Sequence, residues 1–267
     1  MIVRQSDHTT NAVRHAPRPD QPVENEMPPV PPMNDKTRSL LMQVAVPTVV
    51  SLLWREGYRT MLMQGPKPLN PQAAKFVGPA FTVRTVPTRQ DFLDDQAAGT
   101  RPNLQGQSVA DIPAGAVLAV AMNGETRTAF MGDIMTTRML VKGVAGVVLD
   151  GGVSDALAIS GIPLPVFCMG SAGTPVTSHR YVIDLNVPVE MDGVSILPGD
   201  IVMGDPDGIV VIPAPLVDRI AEAAYEREQL ESFVIGKVRD GAPLEGTYPP
   251  NEATLAEYEA WKAQSAG

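Results

Sequence analysis

Hydrophobic positions along the chain change their period several times, and each change marks an element. From about Lys36, "DKTRSLLMQVAVPTVVSLLWREGY" carries apolar residues at helical spacing, is interrupted at Pro47 and closes at Gly57. Proline breaks a helix interior, so this pattern predicts two helices that meet near Val46. "FVGPAFTVRTVP" is rich in β-branched residues between prolines and predicts a strand. "ADIPAGAVLAVAMN" predicts a turn at Pro113-Ala-Gly115 and a strand from Ala116 to Ala121.

The next segment, "GDIMTTRMLVKGVAGVVLDGGVSD", is a compact α/β unit. Asp133 is expected to cap a helix over residues 134–142, and Gly143 to end it. Val144 to Leu149 then reads as a buried strand that runs into an acidic, glycine-rich loop: Asp150, Gly151, Gly152, Ser154, Asp155. Downstream, "IPLPVFCM" is another strand. "VPVEMDGVSILPGDIVMGDPDGIVVIP" predicts short strands with turns at Asp192-Gly193, Pro198-Gly199-Asp200 and Asp205-Pro-Asp-Gly208. A helix follows from Pro213 to about Phe233, and "GTYPPNEATLAEYEAWKA" predicts an extended piece and a short helix.

The first 34 residues lack this periodicity and carry seven prolines between Pro17 and Pro32. They are expected to be a disordered tail or an extended arm. Three parts follow: a tail over residues 1–34, an α/β domain over 35–235, and a C-terminal extension over 236–267 that packs on the domain or on a neighbour. Net charge is −9 and no basic run occurs, which argues against nucleic acid as a partner. No apolar run approaches the roughly 20 residues of a membrane span, so no membrane partner is expected. One cysteine, Cys168 in "PLPVFCMG", excludes an internal disulfide framework and fits a cytoplasmic protein; its apolar setting suggests a buried, inert thiol.

Several chemistries are thinly supported. Zinc needs His or Cys clusters that the chain lacks, since His8 and His15 lie in the tail and leave only His179. Ser154, Asp155 and His179 are not framed by a G-x-S-x-G elbow. Lys67, Lys75, Lys142, Lys237 and Lys262 sit in polar or helix-end contexts, unlike a desolvated Schiff-base amine. "GDPDG" at 204–208 lacks the ligand spacing of a calcium loop and reads as a turn. The best candidate is the α/β unit itself. A helix starting near Asp133 offers free N–H groups to a carboxylate, and Asp155 at an element end can meet a hard cation. On residue types alone, an N-cap aspartate followed by an ordinary acidic turn is the favoured description. Arg89, Arg127 and Arg138 are the arginines placed to grip a carboxylate, although each type more often forms a surface ion pair.

The order of segments adds what single motifs lack. "GDIMTTRMLVKGVAGVVLDGGVSD" followed by "NVPVEMDGVSILPGDIVMGDPDGIVVIP" resembles the RraA-like family, which includes 4-hydroxy-4-methyl-2-oxoglutarate aldolase and the regulator of ribonuclease activity A. The resemblance runs from about residue 40 to 235, and "YPPNEATLAEYEAW" looks like the extension of longer members. It implies an α/β sandwich similar to the swivelling phosphohistidine domain, with helical N- and C-terminal extensions, assembled as homotrimers or homohexamers with sites between subunits. It further implies a lyase that cleaves a small 2-keto acid to release pyruvate, or decarboxylates oxaloacetate, with Mg²⁺ or Mn²⁺. Gly132, Asp133, Ile134 and Met135 would bind the substrate carboxylate, and Asp155 would hold the cation, with Asp133 beside it. The family's arginine before that aspartate is here Ser154, and Arg127 or Arg138 is the expected substitute. Two other readings remain: a dehydratase or tautomerase of sugar-acid or aromatic-acid breakdown, and a non-enzymatic regulator that binds a protein.

Overall fold

Helical and strand-like periods alternate along the chain, and the structure resolves them into layers on a curled sheet. The computed structural model describes residues 30–265; residues 1–29, most of the proline-rich stretch, lie outside the described residues. Two helices, α1 (Asp35–Met42) and α2 (Val46–Arg55), precede the short strands β1 (Leu62–Met63) and β2 (Lys67–Pro68). The long strand β3 (Phe76–Pro87) leads to α3 (Gln90–Ala97), α4 (Leu104–Asp111) and β4 (Val117–Ala121). Then come α5 (Asp133–Val141), β5 (Gly146–Leu149), β6 (Gly152–Val153), α6 (Ala156–Ser160), β7 (Val166–Cys168) and β8 (Gly170–Ser171). The chain ends with β9 (Arg180–Leu185), β10 (Val189–Met191), β11 (Val194–Ile196), β12 (Ile201–Asp205), β13 (Gly208–Ile212), α7 (Val217–Arg239) and α8 (Glu252–Ser265).

Most of the expected elements are present with shifted ends. Gly132, not Asp133, is the N-cap of α5, because its extended backbone carries the chain into the helix and Asp133 already takes part in the first turn. α7 continues six residues past Phe233 to Arg239, through the expected start of the extension. α3, α4 and β9 were not anticipated. The break between α1 and α2 falls where proline requires it, and the polar backbone exposed there is satisfied by distant side chains. Glu228 accepts from the N–H of Ala45 at 3.0 Å and Asp205 from that of Val46 at 2.8 Å. Lys75 donates to the Val44 carbonyl.

β3 organises the sheet. Its first residues pair antiparallel with β12, its middle pairs parallel with β4, and its end pairs antiparallel with β9. β4, β5 and β7 continue the parallel run. A parallel sheet is covered on both faces, and its strands are apolar at every position. β4 shows this directly: Leu118 and Val120 face a core built with α4, α5 and α6, while Val117, Ala119 and Ala121 face a second core with β10–β13. A third core seats α1, α2 and α7 on the outer face of β12 and β13. α8 packs back on α7 through Phe233, Tyr258 and Trp261. Among the described residues no single helix is long and apolar enough to cross a membrane; α1 and α2 together have the composition but meet at a 111° bend.

Two contacts fix the part of the sheet that carries the loops. Phe76 stands edge-on to Phe167 at 5.4 Å between ring centres. Its ring fills space that Gly204 leaves free, where an added Cβ would lie 2.2 Å from Phe76 Cε1. Asp150, at the end of β5, is buried and accepts hydrogen bonds from the N–H groups of Met122 and Gly124, which ties the loop after β4 to the end of β5. Burial raises its carboxyl to about 6 against an ordinary 3.8, with the nearby Glu190 charge acting in the same direction and the two N–H groups opposing.

Gly204→Ala should therefore destabilise the protein by about 2 kcal/mol in urea unfolding, since overpacking costs roughly 1–3 kcal/mol. Phe76→Leu in the same chain should recover part of that loss, and additive effects of the two changes would refute the contact. For Asp150 the folded state holds its proton more tightly than the unfolded chain does, so its contribution weakens the fold as pH rises from about 4 to 6 and stays constant above that. The stability of Asp150→Asn relative to wild type should grow by about 2–3 kcal/mol between pH 4 and pH 7. A pH-independent difference would show that Asp150 is not the group responsible.

Candidate functional site

The loop that follows β5 does not stay with the main sheet. Gly151 passes so close to the loop after β4 that a Cβ there would meet Met122 Sδ at 2.4 Å and the Glu125 carbonyl at 2.8 Å. β6 then pairs with β8 on one side and with residues 129–131 on the other, through Phe130 N–H to Gly152 O at 2.9 Å and Ser154 N–H to Met131 O at 2.9 Å. Phe130 and Val153 are buried in the first core and hold this small ladder in place. Residues 132 and 154–155, more than twenty positions apart in sequence, are thereby set side by side.

The approach is close enough to require glycine. A Cβ on Gly132 would lie 2.4 Å from Asp155 Oδ2 and 2.7 Å from Ser154 Oγ. Ser154 Oγ in turn donates to Asp155 Oδ2 at 2.8 Å. Asp155 adopts the left-handed conformation, with φ 53° and ψ 34°, before its carbonyl accepts from Ile159 and α6 begins. That conformation is unfavourable for most residues with a Cβ, and such positions cluster at functional sites. On the facing side, no side chain caps the start of α5. The first-turn N–H groups, on residues 133–135, therefore have no partner within the helix. Asp155 is exposed, and the site is flanked by apolar side chains left in solvent, with Ile134 82% and Leu157 90% exposed.

The remaining predicted residues have separate places. Arg127 grips Glu125 through Nε at 2.9 Å and Nη2 at 2.6 Å, and its guanidinium holds that carboxyl well below the usual carboxylate range. Arg138 lies on the second turn of α5 and, with Ile134 and Met135, lines a hollow of about 310 Å³ shared with Asn103, Gln105, Gly106 and Val109 of the α4 region. Arg89 pairs with Asp91. Ser154 Oγ is directed to Asp155 and the Met131 carbonyl rather than to His179. Cys168 is buried, and burial pushes its thiol up. Lys75 differs from the polar setting expected of it: burial lowers its ammonium, but Asp205 at 3.8 Å and the Val44 carbonyl occupy it structurally.

Among the described residues no three His, Cys, Asp or Glu side chains converge as a metal cage. The donors at Gly132 are instead one carboxylate, one hydroxyl and open N–H groups. The two oxygen groups could hold a hard cation that keeps most of its waters, as Mg²⁺ does when it is bound through one or two carboxylates and a substrate, while the N–H groups suit an anion. Asp150, although in the same loop, is committed to the backbone of residues 122 and 124 and faces inward.

The RraA-like family profile, described as Aldolase/RraA, matches residues 46–211. A protein of Halalkalibacterium halodurans named as a candidate 4-hydroxy-4-methyl-2-oxoglutarate aldolase is 31% identical over 163 residues, 61% of this chain and 70% of its own length. Protein DlpA of Legionella pneumophila is 27% identical over 67% of this chain, but the match spans only 28% of that much longer protein. Among solved structures, Streptomyces coelicolor RraAS2, described as an unusual member of the RNase ES inhibitor RraA protein family, superposes with a TM-score of 0.69. It is 30% identical and the match covers 77% of this chain and 98% of that one. A protein of Pseudomonas syringae pv. tomato shares the fold, with a TM-score of 0.73 at 24% identity over 84% of this chain and 97% of its own. The chain belongs to the RraA-like (Aldolase/RraA) family.

Proposed function

We propose that the protein is a divalent-cation-assisted lyase acting on a small 2-keto acid, by retro-aldol cleavage that releases pyruvate or by decarboxylation of oxaloacetate. The observation that carries this reading is the placement of Asp155 and Ser154 directly over Gly132 at an uncapped helix start. A carboxylate and a set of open N–H groups at one point suit a substrate that presents a carboxylate beside a carbonyl. Relatives named as candidate 4-hydroxy-4-methyl-2-oxoglutarate aldolases support the reaction class.

In this reading the N–H groups of residues 133–135 receive the substrate carboxylate. The Asp155 carboxylate holds Mg²⁺ or Mn²⁺, with Asp133 nearby at the head of α5. When bound, such a cation supplies a Lewis acid for the keto oxygen and for the charge left by bond cleavage. Gly132 keeps the two loops in contact. Ser154 contributes a single hydroxyl where the family resemblance implies a guanidinium; Arg127 is paired with Glu125, and Arg138 lines a hollow together with Ile134 and Met135. A directed donor of that kind is worth about 3–4 kcal/mol to a transition state. In this reading Arg138 or a group from another subunit completes the site, or the native substrate needs less charge stabilisation at this position than a typical aldol. The exposed Ile134 and Leu157 support a homo-oligomer, trimer or hexamer, with this face between subunits. The net charge of −9 disfavours nucleic acid as a partner.

A second reading has one specific observation in its favour. RraAS2, at 30% identity, is described as a member of an RNase inhibitor family. In that case the apolar rim of Ile134 and Leu157 docks a protein, and Asp155 has no catalytic task.

Pyruvate release from 4-hydroxy-4-methyl-2-oxoglutarate or oxaloacetate with Mg²⁺ separates the readings. Asp155→Ala should lower the rate about 100-fold or more, while Ser154→Arg should raise aldol cleavage by up to roughly 100-fold. Turnover no faster than a metal-only blank, with Asp155→Ala equal to wild type, refutes the lyase. In sedimentation velocity, Leu157→Glu should shift the oligomer towards monomer. An unchanged oligomer would remove this face from the interface.

A further inference from the structure

A second polar hollow lies at the carboxyl ends of β3 and β4. It measures about 500 Å³ and is lined by Arg84, Thr85, Asn123, Arg180, Glu190 and Ser195 among others, none of which belongs to the site at Gly132. In α/β sheets, ligands bind beyond the carboxyl ends of the strands, and binding hollows commonly enclose 300–1,000 Å³.

Its charged groups are unevenly committed. Arg84 is paired across the strands with Asp184. Among the described residues Arg180 forms no ion pair. Its Nε donates to Thr85 Oγ1 at 3.0 Å and its Nη2 to the Thr85 carbonyl at 2.8 Å, and Nη1 has no hydrogen-bond partner among the described residues. The Thr85 hydroxyl is itself fixed, donating to the Ala121 carbonyl at 2.6 Å. The guanidinium is thus aimed by a chain of bonds that ends in the sheet, and burial lowers its affinity for its proton while Asp150 and Glu125 act on it only through space. A half-buried guanidinium that no carboxylate contacts directly keeps a free edge, and a bidentate carboxylate is the natural complement of such an edge.

The other polar groups fit a ligand with a donor next to that carboxylate. Glu190 uses Oε1 to accept from the Gly193 N–H at 2.6 Å, so its other oxygen remains for a donor. Asn123 is held in a left-handed conformation, φ 56°, because Asp150 accepts from the N–H groups on both sides of it. A bare anion would be repelled by Glu190; a hydroxyl beside the carboxylate turns that repulsion into a hydrogen bond. We propose that this hollow is a binding site for a small hydroxy carboxylic acid, with Arg180 receiving the carboxylate and Glu190 and Asn123 reading the hydroxyl.

Isothermal titration of the full chain with L-lactate, L-malate, pyruvate and L-alanine tests this. Lactate or malate should bind wild type and Asp155→Ala equally, and Arg180→Gln should weaken that binding roughly tenfold or more. Glu190 is exposed, and Glu190→Gln should leave the fold unchanged, as checked by thermal unfolding, while removing the preference for lactate over pyruvate. No binding of any hydroxy acid overturns the proposal. So does binding that survives Arg180→Gln, or binding that is lost in Asp155→Ala, which would place the ligand at the first site. Alanine binding as tightly as lactate would also overturn it, because the site would then be reading an ammonium.

Discussion

Everything that reaches the surface here depends on β3, a strand that must satisfy both of its edges and both of its faces. It gives its first residues to β12, its middle to β4 and its last to β9, and it lies between the first and second cores. A strand buried on both sides cannot leave backbone groups unpaired without a cost of the order of a lost hydrogen bond each. The changes of partner keep its ladder continuous as the sheet curls. The parallel run of β4, β5 and β7 is built outward from it, so the loops that leave those strands emerge at one end. Both hollows and the Gly132 contact are consequences of that arrangement.

Two aspartates in one short loop show how position divides chemistry. Asp150 is buried and spends its oxygens on the N–H groups of residues 122 and 124, which fixes the loop after β4 and holds Asn123 in its unusual conformation. Asp155, five residues on, is exposed and in a left-handed conformation beside a helix start. Between them, Gly151 and β6 turn the chain away from the sheet. The first carboxylate builds the frame, and the second faces solvent with the Ser154 hydroxyl donating to it.

Serine at position 154 distinguishes the chain from the aldolase pattern its segments resemble. Arginine would have to share the space over Gly132 with the Asp155 carboxylate; the serine hydroxyl already fills part of it by donating to Asp155 at 2.8 Å. Of the nearby arginines, Arg127 is paired with Glu125, and Arg138 lines the hollow between the start of α5 and α4. The RraA-like match over residues 46–211 fixes the family, and this one exchange is where the chain parts from that pattern at the loop.

The strands of the parallel run, the break at Pro47, and the turns at Asp192-Gly193 and Asp205–Gly208 were legible in the chain. Each rests on a period or a turn residue within about ten positions, where local sterics decide. β9 was missed although "RYVIDL" is a strand-like run, and α3 was missed because none of its residues is buried and its apolar stripe is weak. The resemblance of ordered segments supplied Asp155 as a site residue, which residue types alone did not favour. Only the tertiary structure decided that Arg127 is bound to Glu125, that Asp150 is structural, and that Arg180, Asn123 and Glu190 share a hollow. Those residues are up to 67 positions apart, and what brings them together is the pairing of β3 with strands from distant parts of the chain, which no local pattern specifies.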